Sequence, residues 1–411
     1  MNSNIPEVKI ESSPKGLCDC PGFKFSATAV NIRNNNEKRL DLALIVGDSP
    51  LKSAGVFTTN DVVAAPVDLC KKVLSKSPNN IGGIVINSGN ANACTGIKGI
   101  LDAKEMSTSA QVSSKIGLPF YVCSTGRIGR KLPIDKISAG IDTCASMLDN
   151  SEFNSNSVSN AILTSDTCVK EATIRIRYKG KTFTIAGIAK GAGMIEPNMA
   201  TMPCFIVTDL DCSHKDLQKS LSEANEQSFN CISIDGDMST NDTVLILSNG
   251  KSEVNVNSDK NLHTAFNEAL VEICQILANK IVSDGEKTTK VVTLNILGCP
   301  TRKAAEKVAR SIGNSLLVKT SFYGSDPNWG RVIDAAGYAK IGLDFDRLDF
   351  YYDEVPVLLK GVPQETNEII WKEIVGKKKF TIKLDLNLGN AKFKYITTDL
   401  SEDYVNFNKS E

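Results

Sequence analysis

The stretch from Thr173 to Thr208 constrains this chain most. Thr173 to Tyr178 alternates β-branched with charged residues, the two-residue period of a strand with unlike faces. Lys179-Gly180-Lys181 interrupts the pattern, and Thr182 to Ala189 resumes it as a mostly apolar run. Two such runs across a short glycine turn read as an antiparallel hairpin with one wet face. A further run, Cys204 to Thr208, follows after a loop rich in Gly and Pro. Antiparallel or mixed sheets are therefore expected.

Elsewhere strand-like and helix-like segments alternate. Arg39 to Val46, Gly83 to Asn87, Phe120 to Cys123, Thr243 to Leu247, Val291 to Ile296, Phe380 to Leu386 and Phe393 to Thr397 are short apolar runs of strand type. Helices are predicted at 101–116, 133–148, 214–227, 260–282 and 301–313. The longest sets Leu262, Phe266, Leu270, Ile273, Leu277 and Ile281 on one stripe. Pro300-Thr301 gives the last helix a start signal. Asn34 to Asn36 and Ser151 to Asn160 are polar enough to be exposed loops. Together these features give an α/β fold, a layered sandwich with mixed or antiparallel sheets flanked by helices.

Charge narrows the partners. Lys+Arg and Asp+Glu both number 47, so the formal net charge is zero and argues against nucleic acid or an anionic membrane surface. No apolar run approaches the roughly 18 residues of a membrane span. Met1 to Pro14 is polar, carries Glu7 and Glu11, and has the pattern of neither a secretory signal nor a transit peptide. A cytoplasmic protein is the expectation. The twelve cysteines are mostly isolated in apolar segments, and the one close pair, Cys18 and Cys20, lacks a second pair at metal-finger spacing. Buried structural thiols are predicted, with no metal site. The two histidines, His214 and His263, read as surface residues outside any Gly-rich or strand-end context. A catalytic base, if present, is expected to be something other than histidine.

The segment that carries chemistry runs from Ala189 to Pro203: Ala-Lys-Gly-Ala-Gly-Met-Ile-Glu-Pro-Asn-Met-Ala-Thr-Met-Pro. By composition alone it is equally a functional loop or an ordinary connection. Other runs of similar character are Gly55-Val56-Phe57-Thr58-Thr59-Asn60 with Ala64-Ala65-Pro66-Val67, and Asn87-Ser88-Gly89-Asn90-Ala91-Asn92-Ala93. Ser124-Thr125-Gly126, Asp235-Gly236-Asp237-Met238-Ser239-Thr240-Asn241-Asp242 and Asp326-Pro327-Asn328-Trp329-Gly330-Arg331 complete the set. In this order they resemble the blocks of the ornithine acetyltransferase family, the glutamate N-acetyltransferases of arginine biosynthesis. The resemblance covers nearly the whole chain.

That resemblance implies a fold of the ornithine acetyltransferase and self-processing aminopeptidase type. It implies a precursor that cuts itself between Ala200 and Thr201, giving an α chain (1–200) and a β chain (201–411) that form one intertwined catalytic unit. Thr201 Oγ would attack the Ala200 carbonyl in an N→O acyl shift, and the ester would hydrolyse. The freed α-amine, with a reference pKa of about 7.7–8.0, would then serve as base for its own hydroxyl. The β-branch of threonine restricts χ1 and helps to aim that hydroxyl.

The same resemblance implies ping-pong acetyl transfer from N2-acetyl-L-ornithine to L-glutamate through an acetyl-Thr201 ester, with no cofactor. Thr125 and Gly126 would form the oxyanion hole. Lys190, on a chain flexible enough to reach across its loop, would meet a substrate carboxylate. Thr167 would add a hydroxyl, Glu286 would hold an amine, and Asn408 would touch substrate. The family contains members with and without acetyl-CoA as a second donor, and this sequence is compatible with both. An α2β2 assembly is the family's expectation. Two departures stand out: Pro203 occupies a position where leucine is usual, and the chain stops at Glu411, where the family continues to a terminal Ser or Thr. Ser410 would replace that contact, or the contact would be lost. The rival readings are a self-processing aminopeptidase or amidohydrolase of the same fold, and an inactive binding paralogue. Gly82 to Gly96 lacks the spacing of a nucleotide-binding loop.

Overall fold

The structure is a computed structural model that describes residues 5–34, 38–196 and 202–409. Ala200, Thr201 and Ser410 lie outside the described residues. Two compact units form, the first from Met1–Gly191, Pro197–Asn230 and Met238–Ile281, the second from Ala192–Glu196, Cys231–Asp237 and Val282–Glu411.

The first unit is built on β1 (Glu7–Ile10), β2 (Phe23–Thr28), β3 (Leu42–Phe57), β4 (Ile81–Asn90), β5 (Phe120–Arg127), β6 (Lys170–Tyr178), β7 (Lys181–Ala189), β8 (Pro203–Thr208) and β9 (Thr243–Ser248). Their order is β1-β6-β7-β8-β9-β3-β4-β5, with β2 also on β3. The pivot is β3. Its first half pairs with β2 and β4, its register breaks between Val46 and Leu51, and its second half pairs with β9. One strand thus serves two arms of the sheet. Phe25, Ile45, Ile86 and Tyr121 from one arm pack against Ile188, Phe205, Val207 and Leu247 from the other in one buried cluster. Period-two alternation sends the remaining residues outward.

Helices cover the outer faces. On the β3–β5 arm, Met106 and Ala110 of α2 (Gly96–Ser113) and Ile137 and Ile141 of α3 (Ile134–Ser146) bury Leu44, Val85 and Val122. On the other arm lie α5 (His214–Glu226) and α6 (Lys260–Ser283). The α6 stripe from Leu262 to Ile281 is fully buried, as its spacing predicts. A Cβ on Gly187 of β7 would sit 3.0 Å from Leu277, which shows how closely α6 lies on that strand. Two further helices are α1 (Ala65–Lys76), with Pro66 in its first turn, and α4 (Glu152–Ala161).

The second unit holds β10 (Val291–Cys299), β11 (Asp349–Tyr352), β12 (Val355–Leu359), β13 (Val362–Pro363), β14 (Lys379–Asp385) and β15 (Ala391–Thr398), ordered β13-β12-β11-β14-β10-β15. Only β10 and β14 pair in parallel. Helices α7 (Arg302–Gly313), α8 (Leu316–Tyr323), α9 (Trp329–Gly337) and α10 (Glu368–Val375) accompany the sheet, and α11 (Glu402–Asn408) follows it. Thr301 caps α7 by accepting from Ala304 N at 3.1 Å, the start that its sequence signals. Among the described residues no helix is long and apolar enough to cross a membrane.

Several expectations need correction. Residues 151–160 are mostly helix rather than loop: Ser151 accepts from Asn154 N, and Ser155 and Val158 are fully buried against the sheet. Burial there overrides the weak helix propensity of Ser and Asn. The β6–β7 hairpin is wet only toward its tip, where Arg177, Lys181 and Thr182 are exposed. Arg175 lies opposite Thr184, on the face that carries Ala186 and Ile188 into the buried layer, and is paired with Glu11 and Asp19 with 35% of its side chain exposed. Its turn is as expected, with Lys179 at φ +48° and Gly180 at φ +80°, the two left-handed positions of a type I′ hairpin. Neither histidine is fully exposed: both are half-buried, and His214 Nδ1 lies 2.7 Å from the Ser53 carbonyl oxygen. Eight of the twelve cysteines are buried, whereas Cys94 and Cys168 are exposed.

Candidate active site

The parallel strands β4 and β5 end together in the first unit. Asn87 lies beside Ser124, Ser88 beside Thr125 and Gly89 beside Gly126. Carboxyl ends of adjacent parallel strands are where open α/β sheets hold ligands. Here four buried side-chain atoms, Asn87 Oδ1, Ser88 Oγ, Ser124 Oγ and Thr125 Oγ1, have no hydrogen-bond partner among the described residues. Native proteins rarely leave such atoms unmatched, since each costs about 1–3 kcal/mol. Gly126 has φ +126°, and a Cβ there would come within 2.3 Å of the Gly89 carbonyl carbon and 2.6 Å of Asn90 N. Only glycine fits, so the backbone beside the Thr125 hydroxyl is fixed by contact between two main chains.

The start of β9 is fastened to this strand end. Asn241 donates its amide to Ser124 O at 2.9 Å and to Ala91 O at 2.6 Å. Next to it, Asp242 is buried, and its Oδ2 is a fifth atom without a partner among the described residues. Burial pushes the Asp242 carboxyl well above its ordinary range, against the lowering effects of Ser239, Lys190 and Thr58. Thr243 lies beside Pro203 in the parallel β8–β9 register, and its N–H donates to Met202 O at 3.3 Å. The described chain therefore resumes, immediately after position 201, beside Asp242.

Lys190 follows β7. Its backbone N–H donates to Pro203 O at 3.1 Å, and its ammonium bonds Thr164 Oγ1 and lies 3.6 Å from Asp166 Oδ2. The Asp166 side chain is fully buried and also holds Lys170 at 2.7 Å, the Gly191 N–H at 2.6 Å and the Thr164 N–H at 3.0 Å. Burial would raise this carboxyl, but the charges of Lys190 and Lys170 with these hydrogen bonds outweigh it and hold the group well below the usual carboxylate range. Two ammonium groups thus meet at the Asp166 carboxylate. The Lys190 ammonium reaches the loop before β6, where it meets Thr164 and Asp166. Thr167, next to Asp166, is exposed on the loop before β6.

In the second unit, segment 192–196 is held by side chains remote in sequence. Asp235 accepts from Met194 N at 2.6 Å and Ile195 N at 2.8 Å, and from Tyr404 OH at 3.2 Å. Glu196 Oε1 receives Asn314 Nδ2 at 2.6 Å and Arg310 Nη1 at 3.1 Å. Fully buried Lys319 donates to Ile234 O at 2.8 Å and Thr398 O at 2.8 Å, tying the Asp235 segment to β15, and burial pushes its ammonium down to about 8. Glu286 N donates to Ala192 O at 2.7 Å. A Cβ on Gly193 would collide with the Glu286 carboxyl at 2.5 Å, so this glycine lets the carboxyl rest against the main chain. Asn408, the exposed last residue of α11, reaches Glu286 Oε2 at 3.5 Å.

The first unit thus assembles Thr125, Gly126 and Lys190 around the start of β9, and the second brings Glu286 and Asn408 together. Sequence reasoning missed Asp166, Asn241, Asp242 and Asp235 as individual residues. Three of them stand in the 235–242 block quoted above; nothing in the sequence pairs Asp166 with Lys190.

Known proteins resemble this chain over nearly its whole length. A family profile described as ArgJ family matches residues 24–410. The chain is 41% identical over 404 residues to the "Arginine biosynthesis bifunctional protein ArgJ" of Dehalococcoides mccartyi (strain CBDB1), covering 97% of this chain and 98% of that protein. It is 40% identical over 395 residues to the protein of that name from Thermotoga neapolitana, covering 94% and 98%. Among solved structures, a chain of Mycobacterium tuberculosis ornithine acetyltransferase complexed with ornithine matches at 31% identity and TM-score 0.42, covering 47% of this chain and all of that one. By the extent and identity of these sequence matches, the protein belongs to the ArgJ family.

Proposed function

We propose that the protein is a glutamate N-acetyltransferase of arginine biosynthesis that cuts itself between Ala200 and Thr201. It moves acetyl from N2-acetyl-L-ornithine to L-glutamate. The observation that carries this reading is the buried, unpartnered Thr125 hydroxyl beside Gly126, at the strand end tied to the start of β9. A prepositioned donor without a partner is what stabilisation of a developing oxyanion requires.

The bond changes balance without histidine. The Thr201 α-amine takes the proton from its own Oγ, which adds to the acetyl carbon. The tetrahedral oxyanion rests on Thr125 Oγ1 and the Gly126 N–H. It collapses with cleavage of the C–N bond, and the protonated amine passes its proton to departing ornithine. The glutamate amine then attacks the acetyl-Thr201 ester, releasing N-acetylglutamate and restoring the hydroxyl.

The position of Lys190 beside Pro203 and the start of β9 supports it as the ligand of an amino-acid carboxylate, with Thr167 on the neighbouring loop. Paired Glu286 and Asn408 supply an acceptor for an amine. The relatives' description as bifunctional extends the proposal to acetyl-CoA as a second acetyl donor. The proposed chains are 1–200 and 201–411, assembling as α2β2.

Intact mass under denaturing conditions tests the reading. Two fragments are expected from the wild type and one 44.3 kDa chain from Thr201→Ala. N2-acetylornithine should add one acetyl group to the 201–411 fragment, and glutamate should remove it as N-acetylglutamate. A wild type that stays whole overturns the mechanism, and release of free acetate in place of N-acetylglutamate marks a hydrolase.

A further inference from the structure

We infer that Ser88 is a third donor of the oxyanion hole, contacting the acyl oxygen together with Thr125 and Gly126. This rests on the acetyl-transfer reading above and adds a residue to it.

Ser88 and Thr125 are partners in the parallel β4–β5 register. Ile86 and Cys123, two residues earlier on each strand, both belong to the buried layer between the two sheet arms. Side chains two apart on a strand share a face, so Ser88 and Thr125 point into that same layer. Both are buried, at 1% and 7% exposure, and neither hydroxyl has a partner among the described residues. The Ser88 backbone N–H is already engaged with Asp41 O at 2.9 Å, so the strand is held while the hydroxyl is left over.

Adjacent strands lie about 4.8 Å apart. An oxygen set about 1.3 Å off the midpoint of two hydroxyls at that spacing lies about 2.7 Å from each, within hydrogen-bond distance of both. The next residues, Gly89 and Gly126, are pressed together main chain to main chain, which keeps the two strand ends from sliding apart. A serine hydroxyl rotates freely and can donate to a charge that forms only during reaction. No proton is transferred: as Thr201 Oγ adds to the acetyl carbon, Ser88 Oγ–H shares the charge on the carbonyl oxygen. Asn87 Oδ1 and Ser124 Oγ, the other unmatched pair, stand on the opposite face by the same alternation and are not part of this arrangement.

The test compares Ser88→Ala and Ser88→Cys with wild type in steady-state acetyl transfer from N2-acetylornithine to glutamate, alongside thermal melts by circular dichroism. Losing one donor should lower kcat on the order of 100-fold. KM should change less than about three-fold, because the contact forms in the transition state. The melting temperature should not fall, since an unmatched buried group has been removed. Ser88→Cys, similar in size and a weaker donor, should fall between the two. Ser88→Ala within two-fold of wild-type kcat, or a kcat loss matched by a lowered melt, overturns the inference. Should Ser88→Ala not fold, Ser88→Cys at wild-type kcat overturns it. A wild type without transfer removes the acetyltransferase reading and this one with it; an active wild type confines a negative result to Ser88.

Discussion

Replacing Asp166 by Asn strips the counter-charge from two lysines. Lys170 is 1% exposed and Lys190 8% exposed, and the carboxylate between them has no exposed side-chain surface. Asparagine keeps an acceptor for one backbone N–H but turns an NH₂ toward donors that the second carboxylate oxygen now serves. Removing one partner of a buried ion pair costs about 3–5 kcal/mol. At about 2–4 °C per kcal/mol for a unit of this size, the melt should fall by roughly 6–20 °C. Lys190→Met is the milder control. It removes one of two cations and keeps the Asp166–Lys170 pair at 2.7 Å, so the melt should fall less than in Asp166→Asn while substrate affinity is lost. The pH dependence is fixed by the direction of the shift. A carboxyl held below its ordinary value of 3.8 contributes its full stabilisation above that value and loses it as pH falls through the lower native value. The gap between wild type and Asp166→Asn should therefore be constant from pH 5 to 8 and close only in strong acid. Urea unfolding followed by far-ultraviolet circular dichroism at several pH values reads both. A loss below about 1 kcal/mol, a gap that narrows between pH 8 and 5, or equal losses in the two variants would refute the reasoning.

Two further outcomes follow from the strand ends. Gly126→Ala should abolish measurable transfer and lower the melt, because its Cβ meets backbone at 2.3 Å in a left-handed conformation; kinetics within ten-fold of wild type would contradict the contact. Asp242→Asn should become stabilising relative to wild type as pH rises. A carboxyl raised by burial contributes fully below its unfolded value, and its benefit is lost as pH climbs through the native one, whereas the amide does not titrate. Melts at pH 5 and pH 8 measure the change, and a variant that loses ground at pH 8 counts against a raised Asp242.

Periodicity was informative wherever one face of an element sets its fate. The α6 stripe and the Lys179-Gly180 turn were readable because local pattern and final environment agree. Ser151 to Asn160 misled because a polar helix was buried by its neighbours rather than by its own hydrophobicity. The division of β3 between two arms depends on a register break at Val46–Leu51, which the apolar run ending at Val46 does not announce. Lys190 was visible as a residue, but its setting was not: Asp166 is 24 positions away and meets it only through the β6–β7 pairing. Thr125 and Gly126 drew attention only through resemblance. Their unmatched hydroxyl and crowded glycine are properties of two strands together.

The order of strands in the first unit bears on what scission would do. Strands β8 and β9, both beyond position 201, are bonded on one side to β7 and on the other to β3, and both of these neighbours precede it. A cut in the loop between β7 and β8 would break no ladder bond. Strands β8 and β9 of the later fragment would remain wedged between β7 and β3 of the earlier one, and withdrawing them would mean unzipping two seams at once. The ladder bonds on both seams would then hold the two fragments together without covalent continuity at that loop. The two halves made separately would have to find each other with that central gap still open, so co-expressed fragments are a far more demanding route to this sheet than one chain severed afterwards.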